Sequence, residues 1–468
     1  MPTAIQHSWK HWKNREIKKG DELPYIPHTE AEIQEMLDLI GVASIDDLFA
    51  DIPKEVLFDE KHPFEGKSEM DVMREMGAML GQNRTGPLFL GAGCYNHYVP
   101  AAVASILSRS EFFTSYTQYQ PELSQGFLRA LFEYQTFICQ LTGMEVSNIS
   151  MYDWASALGE AALMSARITK KRCNIIVPKT THPVRVQVMK TYLKGAGLNL
   201  IETGFDADTG QLDIEDLKKA INDTTAMVYM ESPNVFGVID ETAQTVSEIA
   251  HEAGSMFVFG TDMLSLSILT PPAEYNADIV IGDAQSMGNP MNFGGSQLGV
   301  MACKKQYVRD MPGRLVGKTH DADKREGFVL TLQTREQHIR RQKATSNICT
   351  NHALNALAAA VYIALMGAGG LSELGSLLIK RPSEVADRIN DLSGWSAPLF
   401  GSHHFREFVA VSDTDPELIN QKLLEEGITG GFVLRDWYPE LGNAVLYCVT
   451  ECCSDEDIER LLEVLGRD

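Results

Sequence analysis

Where the chain first settles into a regular pattern, Ile33, Met36, Leu37 and Ile40 recur at i, i+3, i+4 and i+7. Thr29 and Glu32 stand before them at capping-box spacing and Gly41 follows, so the pattern predicts an amphipathic helix that starts the folded part. The far end mirrors it. Ser454 is placed to cap a helix whose Ile458, Leu461, Leu462 and Leu465 form one apolar stripe closed by Gly466. Between these ends, short apolar runs rich in β-formers recur at residues 173–177, 226–230, 256–259, 278–281 and 298–302, with helical stretches between them. Strands that alternate with helices predict a mainly parallel sheet covered on both faces, an α/β fold. Ligands of such sheets collect beyond the carboxyl ends of the strands, so the residues just after each run matter most.

Beyond Asn351, residues 353–366 form a strongly apolar stretch that predicts a long helix ending at Gly367 and the Gly369-Gly370 pair, placed to bridge two domains. The last hundred residues mix helical patterns with strand-like runs at 408–411 and 444–449, as a smaller α/β domain would. The expected organisation is a tail and helical arm over residues 1–90, a large α/β domain over 91–345, and a linking helix with a small C-terminal α/β domain over 346–468.

Four polar segments interrupt the pattern. Residues 115–126 gather Tyr116, Tyr119, Gln120, Glu122, Ser124 and Gln125 around a proline turn. Hydroxyls, amides and a carboxylate at that density suit a small polar substrate, and a well-bonded turn leading into a helix has the same composition. Residues 148–162 put hydroxyls and small side chains at a helix start, where Ser150 or Ser156 either donates to a bound anion or simply caps the helix. Residues 278–295 read as a strand end followed by a glycine-rich loop that fits neither the dinucleotide nor the ATP phosphate-loop pattern, and neither site is assigned. Residues 331–350 concentrate Arg335, His338, Arg340, Arg341 and Lys343, with Asn347 nearby. That cluster fits a carboxylate or phosphate as well as it fits a solvated helix face or a set of intersubunit ion pairs. Cys349 lacks the histidine and carboxylate pattern of a nucleophile.

Composition narrows the function classes. Of 468 residues, 44% are hydrophobic and 22% charged, with a formal net charge of -22, which opposes attraction to nucleic acid or to anionic lipid. No uninterrupted apolar run reaches the roughly 20 residues that span a bilayer, so no membrane is expected. Eight cysteines without a C-x-x-C pair point to a reduced, cytoplasmic protein with no structural metal. The first twenty residues are basic, with Lys10, Lys13, Arg15, Lys18 and Lys19 against Glu16, and read as a solvated arm or docking tail, a transit peptide being the alternative.

Specific runs carry a resemblance: Y-I-P-H-T-E from Tyr25, F-L-G-A-G-C-Y from Phe89, residues 115–126, S-M-Y-D from Ser150, M-P-G-R-L-V-G from Met311, and the stretch from Gly327 to Asn351. From about Tyr25 to the C-terminus the chain resembles the α-type chains, called subunit 1, of the two-subunit glycine dehydrogenases (decarboxylating), the P-proteins of the glycine cleavage system. The resemblance implies the fold of the fold-type I pyridoxal-phosphate (PLP) enzymes and a homologous β subunit in an α2β2 assembly. That β subunit would carry PLP on a lysine shortly after a sheet strand. Matching the pattern to residues 278–281 puts Gln285 and Ser286 where its His-Lys pair falls, and neither forms a Schiff base. The implied reaction decarboxylates glycine and passes an aminomethyl group to the lipoyl arm of H-protein. Tyr116, Tyr119, Gln120, Glu122, Ser124, Gln125, Arg335 and Asn347 would then line the shared pocket, and this chain would supply no catalytic residue of its own. Three departures from the family pattern stand out: Gln118 for a proline, Trp154 for a small residue, and Gly282-Asp283-Ala284 for a Gly-Glu-Gly type sequence. Trp154 either adds bulk to a pocket or fills a space left where no PLP is bound. Competing readings are a scaffolding or regulatory pseudoenzyme, a paralogue acting on another small amino acid, and an autonomous PLP enzyme using a lysine elsewhere, Lys304 and Lys305 being the nearest.

Overall fold

The capping box expected at Thr29 is formed: its hydroxyl accepts from the Glu32 amide, Glu32 returns the bond, and the Glu30–Ile40 helix closes at Gly41 with φ 87°. The computed structural model describes residues 28–57, 66–83, 85–113, 118–170 and 172–467, so the basic tail and Tyr116 lie outside the described residues. The chain divides into two compact units, residues 1–83 and 84–468. In the first unit a 3₁₀ turn, Asp46–Phe49, and the Glu69–Leu80 helix follow the opening helix.

The second unit is built on a seven-stranded sheet of β1 (Val146–Ser147), β2 (Asn174–Pro178), β3 (Asn199–Thr203), β4 (Thr225–Glu231), β5 (Met256–Asp262), β6 (Ile279–Asp283) and β7 (Gly299–Cys303). Its order is β1-β7-β6-β5-β4-β2-β3. Strands β2 to β6 run parallel, whereas β7 returns antiparallel to β6 and pairs with β1 at the edge. Alternate residues of the central strands feed two cores. Ile175, Val177, Met227, Tyr229, Val258 and Ile281 pack with the Trp154–Thr169 and Pro183–Ala196 helices on one face. Ile176, Val228, Met230, Phe257 and Val280 pack on the other with the Gln125–Thr142, Ala243–Glu252 and Ala353–Asn390 helices. Burial on both faces explains why these strands read as continuous apolar runs rather than as alternating ones.

A two-stranded ribbon, β8 (Leu315–His320) with β9 (Glu326–Thr331), and an antiparallel sheet of β10 (Trp395–Ser396), β11 (Glu407–Ser412), β12 (Phe432–Val433) and β13 (Ala444–Cys448) complete the unit. The Ala353–Asn390 helix does not end at Gly367 as its composition predicts. It leaves helical geometry there (φ 61°, ψ 178°), a backbone conformation that glycine takes without a Cβ penalty, and then resumes. Buried Leu371, Leu374, Leu378, Val385 and Ile389 supply the second half's apolar stripe. By length and composition this helix would cross a bilayer, but its buried side chains belong to the cores of this unit. The last helix, Asp455–Leu465, opens with a capping box at Ser454, as expected.

The close approach of β5 to β6 requires glycine at 282, because a Cβ there would lie 1.9 Å from the Thr261 carbonyl oxygen. Gly282→Ala should therefore push the two strands apart and cost at least about 2 kcal/mol. The check is a lowered urea midpoint at unchanged slope.

Candidate functional site

Strands β4, β5 and β6 end in Glu231, Asp262 and Asp283, three buried acids side by side at the carboxyl edge of the parallel sheet. Each is held by a different set of partners. The Asp262 carboxylate meets the Arg406 guanidinium at 3.1 Å and accepts from the Ser286 hydroxyl at 3.0 Å. The Arg406 guanidinium carbon sits over the Tyr95 ring, 3.2 Å from its centroid, and Tyr95 donates its phenol proton to Glu407 at 2.8 Å. Glu231 pairs with Arg185 at 2.7 Å and accepts from the Tyr229 hydroxyl at 2.9 Å. Trp154 closes this second group: its indole N–H donates to the Tyr229 oxygen at 2.9 Å while Arg185 sits 3.5 Å over its ring.

Two arginines thus neutralise two of the buried acids. Burial works against charge on Arg406, but the neighbouring Asp262 carboxylate outweighs it and raises its pKa. Burial raises Glu407 despite the adjacent Arg406. His182 is lowered to about 3 by burial and by Arg185. Its Nδ1 accepts from the Val184 amide and its Nε2 donates to the Ala92 carbonyl, which is the bonding of a neutral ring. Asp283 has no arginine of its own, and burial pushes it up to about 7, with a further push from Asp262.

The sign of the Asp283 effect follows from that shift. A carboxyl raised from 3.8 to about 7 on folding contributes stability that is complete below pH 3.8 and is lost as pH rises through 7. Asp283→Asn, which keeps the acceptor for the Gln285 amide, should match the unaltered protein near pH 4 and exceed it in stability at pH 8. Denaturation midpoints measured across that range check the trend.

The space enclosed by Trp154, His182, Arg185, Asp262, Arg406 and Glu407 is about 10 Å³, room for one water at most. Beside it opens a cleft of about 460 Å³, lined by Tyr152, Trp154, His182, Asp283, Gln297 and His352 among others. The Trp154–Thr169 helix points its N-terminus toward that cleft, and Asp153 caps it by accepting from the Ser156 amide at 2.7 Å. The helix is capped through Asp153 and Ser156 rather than Ser150, whose hydroxyl accepts from the His352 amide.

Residues singled out from the sequence distribute unevenly around this site. Gln285 and Ser286 are both in it. Gln285 is buried and bridges the Tyr95 backbone on both sides, accepting from its amide and donating to its carbonyl, while Ser286 bonds Asp262. The polar segment lies elsewhere. Tyr119 is partly exposed and accepts from Arg314 at 2.8 Å, Gln125 clamps the Phe328 backbone of β9 through both ends of its amide, and Gln120 and Glu122 are exposed with Ser124 half-buried. Gln118 is buried with neither end of its amide paired among the described residues. Arg335 spends its guanidinium on the backbone carbonyls of Met311, Gly313 and Leu332, and Asn347 is exposed. Trp154 fills space. The residues that make the site but escaped sequence reasoning are Asp262, Glu231, Arg185, Arg406 and Tyr95. A signal existed for the first two: an acid terminates each of three consecutive apolar runs, at the strand ends where ligands collect.

Comparison with known proteins places this arrangement in a lineage. Residues 24–465 match the family described as Glycine cleavage system P-protein. A protein of Pyrococcus furiosus named probable glycine dehydrogenase (decarboxylating) subunit 1 is 48% identical over 94% of this chain and 98% of its own. One of the same name from Desulforamulus reducens is 46% identical over 95% and 99%. The crystal structure of a glycine decarboxylase (P-protein) of the glycine cleavage system, in inhibitor-bound form, superposes with a TM-score of 0.86 at 40% identity, covering 95% of this chain and all of that one. A sphingosine-1-phosphate lyase of Burkholderia pseudomallei, at 14% identity and a TM-score of 0.64 over 90% of this chain and 93% of its own, shares the fold, which is that of the fold-type I PLP enzymes.

Proposed function

The chain belongs to the glycine cleavage system P-protein family, and from that premise we propose that it works as the PLP-free subunit of a two-subunit glycine dehydrogenase (decarboxylating). In this reading a homologous partner holds PLP, glycine is decarboxylated in the assembled complex, and the aminomethyl group passes to the lipoyl arm of H-protein.

The observation that carries the assignment is the set of residues at the strand ends, with Gln285 and Ser286 in place of a lysine and the Asp262 carboxylate already paired with Arg406. PLP needs a lysine amine, a carboxylate free to face its ring nitrogen, and an open anion site for its phosphate. Here Gln285 and Ser286 take the place of the lysine, Arg406 and Ser286 occupy the Asp262 carboxylate, and Asp153 puts its own carboxylate on the helix N-terminus. The space enclosed by Trp154, Arg185 and Arg406 is about 10 Å³, and the cleft of about 460 Å³ that opens beside it has no lysine among its lining residues. The residues present do not fit PLP. Cytoplasmic residence accords with eight free cysteines.

The test is reconstitution. The chain, the PLP-bearing homologue and lipoylated H-protein are assayed for glycine-dependent exchange of carbon dioxide, singly and together. Exchange in the mixture and only background from either subunit alone is the expected result. A mixture no faster than the PLP-bearing subunit alone would reduce this chain to a scaffold, and a stable PLP-containing complex inactive on glycine would mean another amino acid is the substrate.

A further inference from the structure

The three acids that end β4, β5 and β6 are all buried, and two of them have a cation: Glu231 has Arg185 and Asp262 has Arg406. Asp283 has no ion pair among the described residues. Its Oδ1 accepts from the Gln285 amide at 2.6 Å, while Oδ2 has no hydrogen-bond partner although the residue is 7% exposed. A buried carboxyl oxygen left unpaired beside two satisfied neighbours points to a partner that comes from outside the chain.

Asp283 lines the cleft of about 460 Å³, whose lining residues all belong to the unit of residues 84–468. That lining is short of positive charge. Asp153 contributes a second carboxylate, with Oδ1 taken by the Ser156 amide and the other oxygen accepting nothing from the described residues. Arg185 is the one arginine or lysine in the lining, and it is committed to Glu231. His182 is neutral with both ring nitrogens bonded. His352 donates from Nδ1 to the Gln297 carbonyl at 2.7 Å, which leaves Nε2 an acceptor in the neutral ring. An anion in this cleft would meet two carboxylates, whereas a cation would be paired by them.

The rest of the lining narrows the kind of cation. Tyr152 and Trp154 present aromatic rings and Val184 and Val188 apolar side chains, surfaces that suit an organic cation better than a hydrated metal ion. We propose that the cleft binds a primary aliphatic amine, its ammonium group held by Asp283 and Asp153 and its hydrocarbon part lying against Tyr152, Trp154, Val184 and Val188. The inference stands apart from the reading above, since it concerns a ligand of this chain alone and no step of the reaction.

The full-length chain is titrated calorimetrically with n-butylammonium chloride at pH 8, where the Asp283 carboxyl, pushed up to about 7 by burial, is ionised. Saturable binding at one site is expected, and sodium butyrate, an anion of similar size, should not bind. Asp283→Asn and Asp153→Asn should each weaken binding by at least about 10-fold, the loss of one charge-assisted hydrogen bond. Neither should unfold the chain, because asparagine keeps the acceptor for the Gln285 amide in the first and a helix cap in the second. Asp413→Asn, at an exposed acid outside the cleft, should leave the affinity unchanged, which separates the site from the general attraction of an acidic chain for cations. Absence of saturable binding, butyrate bound as tightly as the amine, or unchanged affinity in either cleft variant would overturn the proposal. Potassium ion displacing the amine at equal concentration would assign the cleft to an inorganic cation and overturn it as well.

Discussion

Arg406→Met should lower the stability of the chain by about 3 to 5 kcal/mol, the range for breaking a buried ion pair by removing one partner. Arg406 is 3% exposed, and its guanidinium meets Asp262, the Tyr95 face and the His97 ring nitrogen at once. Without it, Asp262 keeps the Ser286 hydroxyl and the Leu264 amide but loses its ion-pair partner. Replacing both members, as Arg406→Met with Asp262→Leu, should recover most of the loss, because paired removal leaves no uncompensated charge. Denaturant midpoints of the three variants decide it. A single-variant loss below about 1 kcal/mol would show that the pair is not what holds this part of the site.

Ser286→Lys should fail to create a PLP enzyme. The introduced amine would arise where Ser286 is 1% exposed and bonded to Asp262, so its proton would be held by that carboxylate rather than lost to give a nucleophile. Arg406 would still hold the Asp262 carboxylate that a cofactor's ring nitrogen would need. Incubation with PLP, borohydride reduction and mass measurement should return the unmodified mass of the variant. A stoichiometric adduct at position 286 would mean that the site is open and that the lysine alone was missing.

Much of the fold was legible because burial leaves a strong trace. Strands β4 and β5 are buried from end to end and read as unbroken apolar runs, and the caps at Thr29 and Ser454 announce their helices by spacing alone. Edge strand β3, with Asn199 and Glu202 exposed, and the half-exposed β8–β9 ribbon lack that trace. The antiparallel turn of β7 was equally hidden, since strand direction is set by the loop rather than by the run itself. The filled site was half legible. Gln285 and Ser286 announced the missing lysine, whereas Arg406 and Arg185 come from segments far apart in sequence and meet the strand ends only in the folded chain. Tyr119, Gln125 and Arg335 stood out as polar clusters, and composition does not tell that Gln125 and Arg335 bond neighbouring backbone within the chain.

We propose that the partner, not this chain, holds the cofactor. Borohydride reduction of the assembled, active complex, followed by mass measurement of each separated chain, tests it most directly. The expected result is a phosphopyridoxyl group on a lysine of the partner and this chain at its unmodified mass; a phosphopyridoxyl group on any lysine of this chain would contradict it.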